Sequence, residues 1–102
     1  MQNQNTITKK ENKVLFPLGE VYLTIGASEA LEESNQSANE YLAQHSSGNW
    51  GIVGQEDWQE NDFSAKEGFR ILSAYKTGKG EKLWVITESD RSSTTCLLPR
   101  EY

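Results

Sequence analysis

The stretch FRILSAYK-TGKG-E-KLWVITE-SDRS-STTCLL-P, residues 69–99, decides the fold. Phe69 to Lys76 alternates, with Ile71, Ser73 and Tyr75 on one side and Leu72 and Ala74 on the other. Side chains in a strand point to opposite faces with a period of two, so this pattern predicts a strand with one buried face. Lys82 to Glu88 is rich in β-branched and aromatic residues: Leu83, Trp84, Val85, Ile86 and Thr87. Ser93 to Leu98 reads as a third strand, ended by Pro99, which cannot donate to a ladder. Thr77-Gly78-Lys79-Gly80 and Ser89-Asp90-Arg91-Ser92 are short and turn-rich. Two tight turns between three such runs predict an antiparallel three-stranded β-meander. A sheet apolar on one side needs a covering layer, so helices must pack against it.

Those helices have to come from the residues before the meander. Gln55 to Glu67 reads as a polar helix with Gly68 as its natural C-terminal stop. Upstream, Ser37-Ala38-Asn39-Glu40 fits a capping box opening a second helix. Ala38, Tyr41, Leu42 and His45 follow at i, i+3, i+4 and i+7, one helical face, and Ser46-Ser47-Gly48 stops the helix. Ser28 to Ser34 reads as a shorter helix, joined to the second at Asn35-Gln36. Glu20 to Ile25 alternates and predicts a strand that Gly26 ends. Asn49 to Gly54 is a Gly-punctuated loop holding Trp50, Ile52 and Val53. Order is expected to begin at Val14-Leu15-Phe16, and the Asn/Gln/Lys-rich residues 1–12 read as a disordered tail. The reading is one α+β domain over residues 13–102: an N-terminal strand region, three short helices, then the meander packed against them.

Composition bounds the function. The chain has 102 residues and is 35% apolar, enough for one thin core. Its ten aromatic residues, including Trp50, Trp58 and Trp84, supply burial that the aliphatic residues do not. Cys96 is the only cysteine, which rules out an internal disulfide and a thiolate zinc site. No apolar run is long enough to span a bilayer, and the N-terminus lacks the apolar core of a signal peptide. The expected compartment is therefore the cytoplasm, with no membrane partner.

Net charge is −5, unevenly placed. Residues 29–67 hold nine acids against Lys66 alone, a balance of −8, while residues 68–102 balance at +2. The acidic middle would repel a phosphate backbone, so nonspecific nucleic-acid binding is not expected, and any such contact would have to use the C-terminal sheet. Solvated helix faces account for the acidic stretch most simply.

Several of these runs together have a familiar pattern: Phe16-Pro17-Leu18-Gly19 with its following strand; His45-Ser46-Ser47-Gly48-Asn49-Trp50-Gly51 leading to Asp57; Arg70-Ile71-Leu72-Ser73-Ala74-Tyr75; and Trp84 through Pro99. Over residues 14–102 they resemble a family of small bacterial proteins described as plasmid-related or hypothetical. The resemblance implies an accessory or mobile-element setting in a bacterium. It implies no reaction.

His45 is the only histidine, hence the only side chain that ordinarily titrates near neutrality. Glu88, Asp90 and Arg91 cluster at the second turn. If His45 reached that rim, base, acid and cation would suit metal-independent phosphodiester cleavage, as in a small ribonuclease or toxin-like enzyme. The structural account is a histidine at a helix C-terminus and two turn residues. Ser92-Ser93-Thr94-Thr95 has no nucleophile elbow, and Cys96 in an apolar strand end reads as a small buried side chain. Gly78-Lys79-Gly80 is a hairpin turn, not a phosphate loop. No calcium-loop pattern is present, so neither metal nor cofactor is expected. Trp50, in its glycine-flanked loop, Trp58 with Asp57 and neighbouring acids, opening an acidic helix, and the free edge of the sheet are the candidates for contact with another protein, with core anchoring the competing account of both tryptophans. Three readings follow, in order: a protein-interaction or accessory module, a small ribonuclease, and an acidic nucleic-acid mimic of the anti-restriction type.

Overall fold

A computed structural model describes residues 13–102; the expected tail at 1–12 lies outside them. The elements run β1 (Glu20–Leu23), α1 (Ile25–Glu33), α2 (Ala38–Ser46), α3 (Gln55–Glu67), β2 (Ile71–Lys76), β3 (Lys82–Thr87), β4 (Ser93–Leu97) and a 3₁₀ turn (Pro99–Glu101). The fold is α+β. The expected meander is present as β2, β3 and β4, antiparallel in turn. It is not the whole sheet. β1 lies parallel beside β4, giving a mixed four-stranded sheet of order β1-β4-β3-β2.

α3 spans the expected residues, with Gly68 closing it in the left-handed conformation at φ 84°. α2 opens where its cap predicted, since Ser37 Oγ accepts from the Asn39 amide at 3.1 Å. The reciprocal half of the capping box is missing, because the Glu40 carboxylate accepts from Gln36 instead. α1 starts three residues earlier than expected, and Gly26 is in its first turn rather than at a strand end. Thr24 Oγ1 accepts from the Ala27 amide, and Glu101 Oε2 accepts from the Gly26 amide at 2.8 Å. A carboxylate at a helix N-terminus satisfies free amides and complements the helix dipole. This cap arrives from the far end of the sequence.

All three helices contribute to one layer under the sheet. Ala27, Ala30 and Leu31 of α1 and Tyr41 and Leu42 of α2 pack on Tyr75, Leu83, Val85, Cys96 and Leu98. A second cluster joins Phe16, Trp50 and Ile71 to Trp58 and Ala65 of α3. Val14–Phe16 forms no strand; the Leu15 amide donates to Ser46 O at 2.7 Å and Phe16 enters this cluster.

The two sheet edges are treated differently. At β2, the Ala74 amide donates to Trp50 O at 3.2 Å and Ala74 O accepts from the Ile52 amide at 2.7 Å. Asn61 Nδ2 donates to Leu72 O at 2.8 Å and Asn61 Oδ1 accepts from the Leu72 amide. These contacts close the β2 edge. Gly51 makes them possible: its φ is +81°, and a Cβ there would sit 1.9 Å from Ala74 O. Gly51→Ala should therefore lower the unfolding free energy by at least about 2 kcal/mol in urea titration. Gly54→Ser, which adds a capping hydroxyl to α3 where no atom crowds, should leave stability within a few tenths of a kcal/mol or raise it.

Candidate functional site

His45 lies where the helical spacing put it, on the inner face of α2, but deeper than a helix-end cation would lie. It is 0% exposed, between Phe16 and Trp50, whose rings meet it edge-on at 5.3 and 5.8 Å. Both ring nitrogens are engaged, with Ser73 Oγ 2.6 Å from Nδ1 and Thr87 Oγ1 2.8 Å from Nε2. Thr87 and Thr94 hydroxyls are 2.7 Å apart, and Thr94 Oγ1 donates to Leu18 O at 2.7 Å.

That last bond sets the direction of all the others. A carbonyl only accepts, so the single Thr94 proton is committed to Leu18. Thr94 then accepts from Thr87, Thr87 accepts from His45 Nε2–H, and Nδ1 accepts from Ser73. The line fixes Nε2–H as a donor; burial keeps the ring neutral, and in the neutral ring Nδ1 is the acceptor for Ser73. Burial, aided by the nearby Arg91 charge, depresses its pKa from 6.5 to about 3.

Of the other expected catalytic residues, Arg91 places its charge near His45, while Glu88 and Asp90 make their contacts with other groups. Thr87 faces His45, so Glu88, one residue on and continuing the ladder to Ser93, faces the opposite side of the sheet. There it pairs with Arg70 at 3.5 Å. Arg91 has φ 61°, and its guanidinium donates to four carbonyls: Ser64, Phe69, Glu88 and Ser89. It clasps the end of α3 to the second turn, with its Cζ 5.2 Å from the Phe16 ring centroid. Asp90 Oδ1 accepts from the Ser92 amide, and hydrogen bonds from Ser92 hold its carboxyl below the usual range. The sheet thus separates the base from the acid. Cys96 is buried, which pushes its thiol pKa up to about 11.

The interaction candidates divide. Trp50 is 0% exposed, stacks on Phe16 and donates Nε1–H to Asp62 at 2.9 Å. It is a core anchor rather than a contact residue, because its loop folds inward along β2. Trp58 is half-buried against the same cluster. Asp57 is exposed, at the rim of an open cleft of about 320 Å³ that Val53, Glu60, Asn61, Arg70 and Leu72 also line. Among the described residues no group of His, Cys, Asp and Glu gathers at metal-binding range, and no helix is long and apolar enough to cross a membrane.

The free sheet edge expected as a contact surface is the outer edge of β1, a place in the sheet that the sequence reading did not give that strand. The Glu20 amide donates to Ser92 O and the Thr24 amide to Cys96 O, each at 3.0 Å. In a parallel ladder alternate residues face the neighbour, so Glu20, Tyr22 and Thr24 bond to β4. Val21 and Leu23 therefore turn their N–H and C=O groups outward. Every residue of β1 is exposed, and Tyr22 (55%) and Ile25 (78%) are the most open of the apolar side chains there. The only available sequence signal was the run Val21-Tyr22-Leu23 itself, whose exposure depends on lying at an edge.

Comparison of the chain with protein-family models, with curated proteins and with solved structures finds no match.

A neutral buried histidine makes stability pH-dependent. Its folded pKa is below its unfolded value, so the unfolded chain takes up a proton first as pH falls. Its contribution is complete above about pH 6.5 and declines by about 1.4 kcal/mol per pH unit between 6.5 and about 3. Urea unfolding at pH 7, 6 and 5 should show this slope, and His45→Gln should be less stable at pH 7 but nearly flat over that window. As the sole histidine, its ring resonances should report the Nε2–H tautomer by NMR and no titration down to pH 5. A titration midpoint near 6.5 would refute the relay.

Proposed function

We propose that this chain is a cytoplasmic accessory protein-interaction module, of the plasmid-related bacterial kind, that takes up an extended segment of another protein as a fifth strand beside β1. The observation that carries this reading is the outward pair of main-chain groups at Val21 and Leu23, set among exposed Val21, Tyr22, Leu23 and Ile25. Strand addition uses main-chain bonds for affinity and alternate side chains for specificity.

Natural sheets usually blunt an open edge with lysine, proline, a bulge or a covering loop. β1 has no lysine and no proline, and its register with β4 is regular. The β2 edge of the same sheet is covered by the Trp50–Ile52 segment and Asn61. Four new hydrogen bonds at about 0.5–1.5 kcal/mol each would not hold a complex against the cost of ordering a peptide. The apolar side chains along the edge would supply the remainder. The ribonuclease reading has less support, because its histidine is buried, neutral and committed at both nitrogens.

In the free protein, the Val21 and Leu23 amides should exchange with solvent far faster than those of Glu20, Tyr22 and Thr24. Peptides selected from a random displayed library should protect those two amides. Val21→Pro, which removes an outward N–H and leaves the β4 ladder intact, should abolish that binding without loss of the cooperative unfolding transition. Selected peptides that protect other amides and bind Val21→Pro equally well would sink the proposal.

A further inference from the structure

Resting on that strand-addition reading, we infer that the segment received at β1 is basic: two apolar side chains two residues apart, flanked by lysine or arginine. The argument is the charge around the open edge. β1, α1 and β4, the elements that build this side of the molecule, contain Glu20, Glu29, Glu32 and Glu33 and no lysine or arginine. α1 packs on β4 and β1 through Ala27, Ala30 and Leu31, which leaves its glutamates exposed on the solvent side. Among the described residues the ion pairs are Arg70–Glu88 and Arg100–Glu81, so none of these four carboxylates is in an ion pair, and Arg100, which lines one cleft with Glu29 and Glu33, is engaged by Glu81.

Register sets where the apolar residues go. Val21 pairs with Thr94 and Leu23 with Cys96, side chains of the inner, helix-covered face. Partner residues bonded to Val21 and Leu23 would extend that face, beside Ile25, where apolar contact is available. The residue between them would lie alongside Tyr22 on the outer face. Longer cationic side chains on either flank could lay their stems on this apolar strip and put their charges near the α1 glutamates.

The same charge pattern argues against a second copy of this chain as the occupant. Self-pairing across β1 would continue one sheet through both copies and leave both α1 helices on its same face. Six α1 carboxylates would then share the helix-covered face, and the two Glu20 side chains the outer one, with no cation from β1, α1 or β4. Like charges placed together oppose association, whereas opposite charges steer it.

The test compares two fluorescein-labelled peptides with the same alternating valine–threonine centre, one flanked by lysines and one by glutamates, by anisotropy on the full chain. The lysine peptide should bind at least about tenfold tighter at low salt, and the difference should shrink at 0.5 M salt, where the screening length falls below about 5 Å. Glu29→Gln/Glu32→Gln/Glu33→Gln should reduce the preference while the exchange pattern of Val21 and Leu23 is retained. Equal affinities, a preference for the glutamate peptide, or failure of both to bind would overturn the inference. So would concentration-dependent dimerisation that Val21→Pro prevents, which would make the occupant a second copy. If library-selected peptides still protect Val21 and Leu23 but carry no excess of basic residues, strand addition stands and only the basic partner falls.

Discussion

The hydrogen-bonded line from Ser73 through His45, Thr87 and Thr94 to the Leu18 carbonyl is the constraint on which the rest of the packing depends. It crosses β2, α2, β3, β4 and the arm leading into β1. Its four side chains are buried, and an unpaired polar group there would cost roughly 1–3 kcal/mol. The line tolerates one register for β3 against its neighbours, because a shift of one residue would turn Thr87 to the opposite face. Apolar contacts alone would accept several nearby arrangements. A directed polar chain accepts one, and the burial that encloses it disfavours a charge on His45.

Arg91 does for the periphery what His45 does for the interior. Its guanidinium joins the end of α3 and the start of β2 to the turn between β3 and β4, through the carbonyls of Ser64, Phe69, Glu88 and Ser89. The positive φ of Arg91 places the side chain for that reach. Glu101 performs a third closure, linking the Gly26 and Leu98 amides and the Thr24 hydroxyl. Charged groups that look catalytic in a list of residue types are here partners for backbone atoms.

The legible parts of this fold were those encoded within one element. Alternation in residues 69–98, the Ser37 cap and the Gly68 stop are local signals, and the elements they mark formed. The early start of α1 was hidden because the Glu101 cap lies some 75 residues away in sequence. The place of β1 was hidden because alternation marks a strand without naming its neighbour. Ser73, Thr87 and Thr94 looked like ordinary strand residues, so the depth of His45 could not be read from its helical face. Trp50 in a glycine-rich loop reads as exposed until Gly51, with its positive φ, lets that loop lie against Ala74. For the site the limit was sharper, since an open edge is defined by what does not pair with it, and no residue type announces that.

The contrast between the two edges is the strongest reason to treat β1 as more than a chain end of the sheet. At β2 the fold uses a glycine of positive φ, a loop of three residues and the Asn61 amide to occupy the outward main-chain groups of Leu72 and Ala74. The same need exists at Val21 and Leu23, where water is the remaining partner within the described residues. Closure at one edge shows that this architecture can cover a strand. An uncovered strand bearing apolar side chains carries an aggregation hazard. Such a hazard persists most readily where occupancy of the edge is useful, and the carboxylates of Glu20 and α1 would repel copies of the same chain while leaving the edge open to a strand of opposite charge.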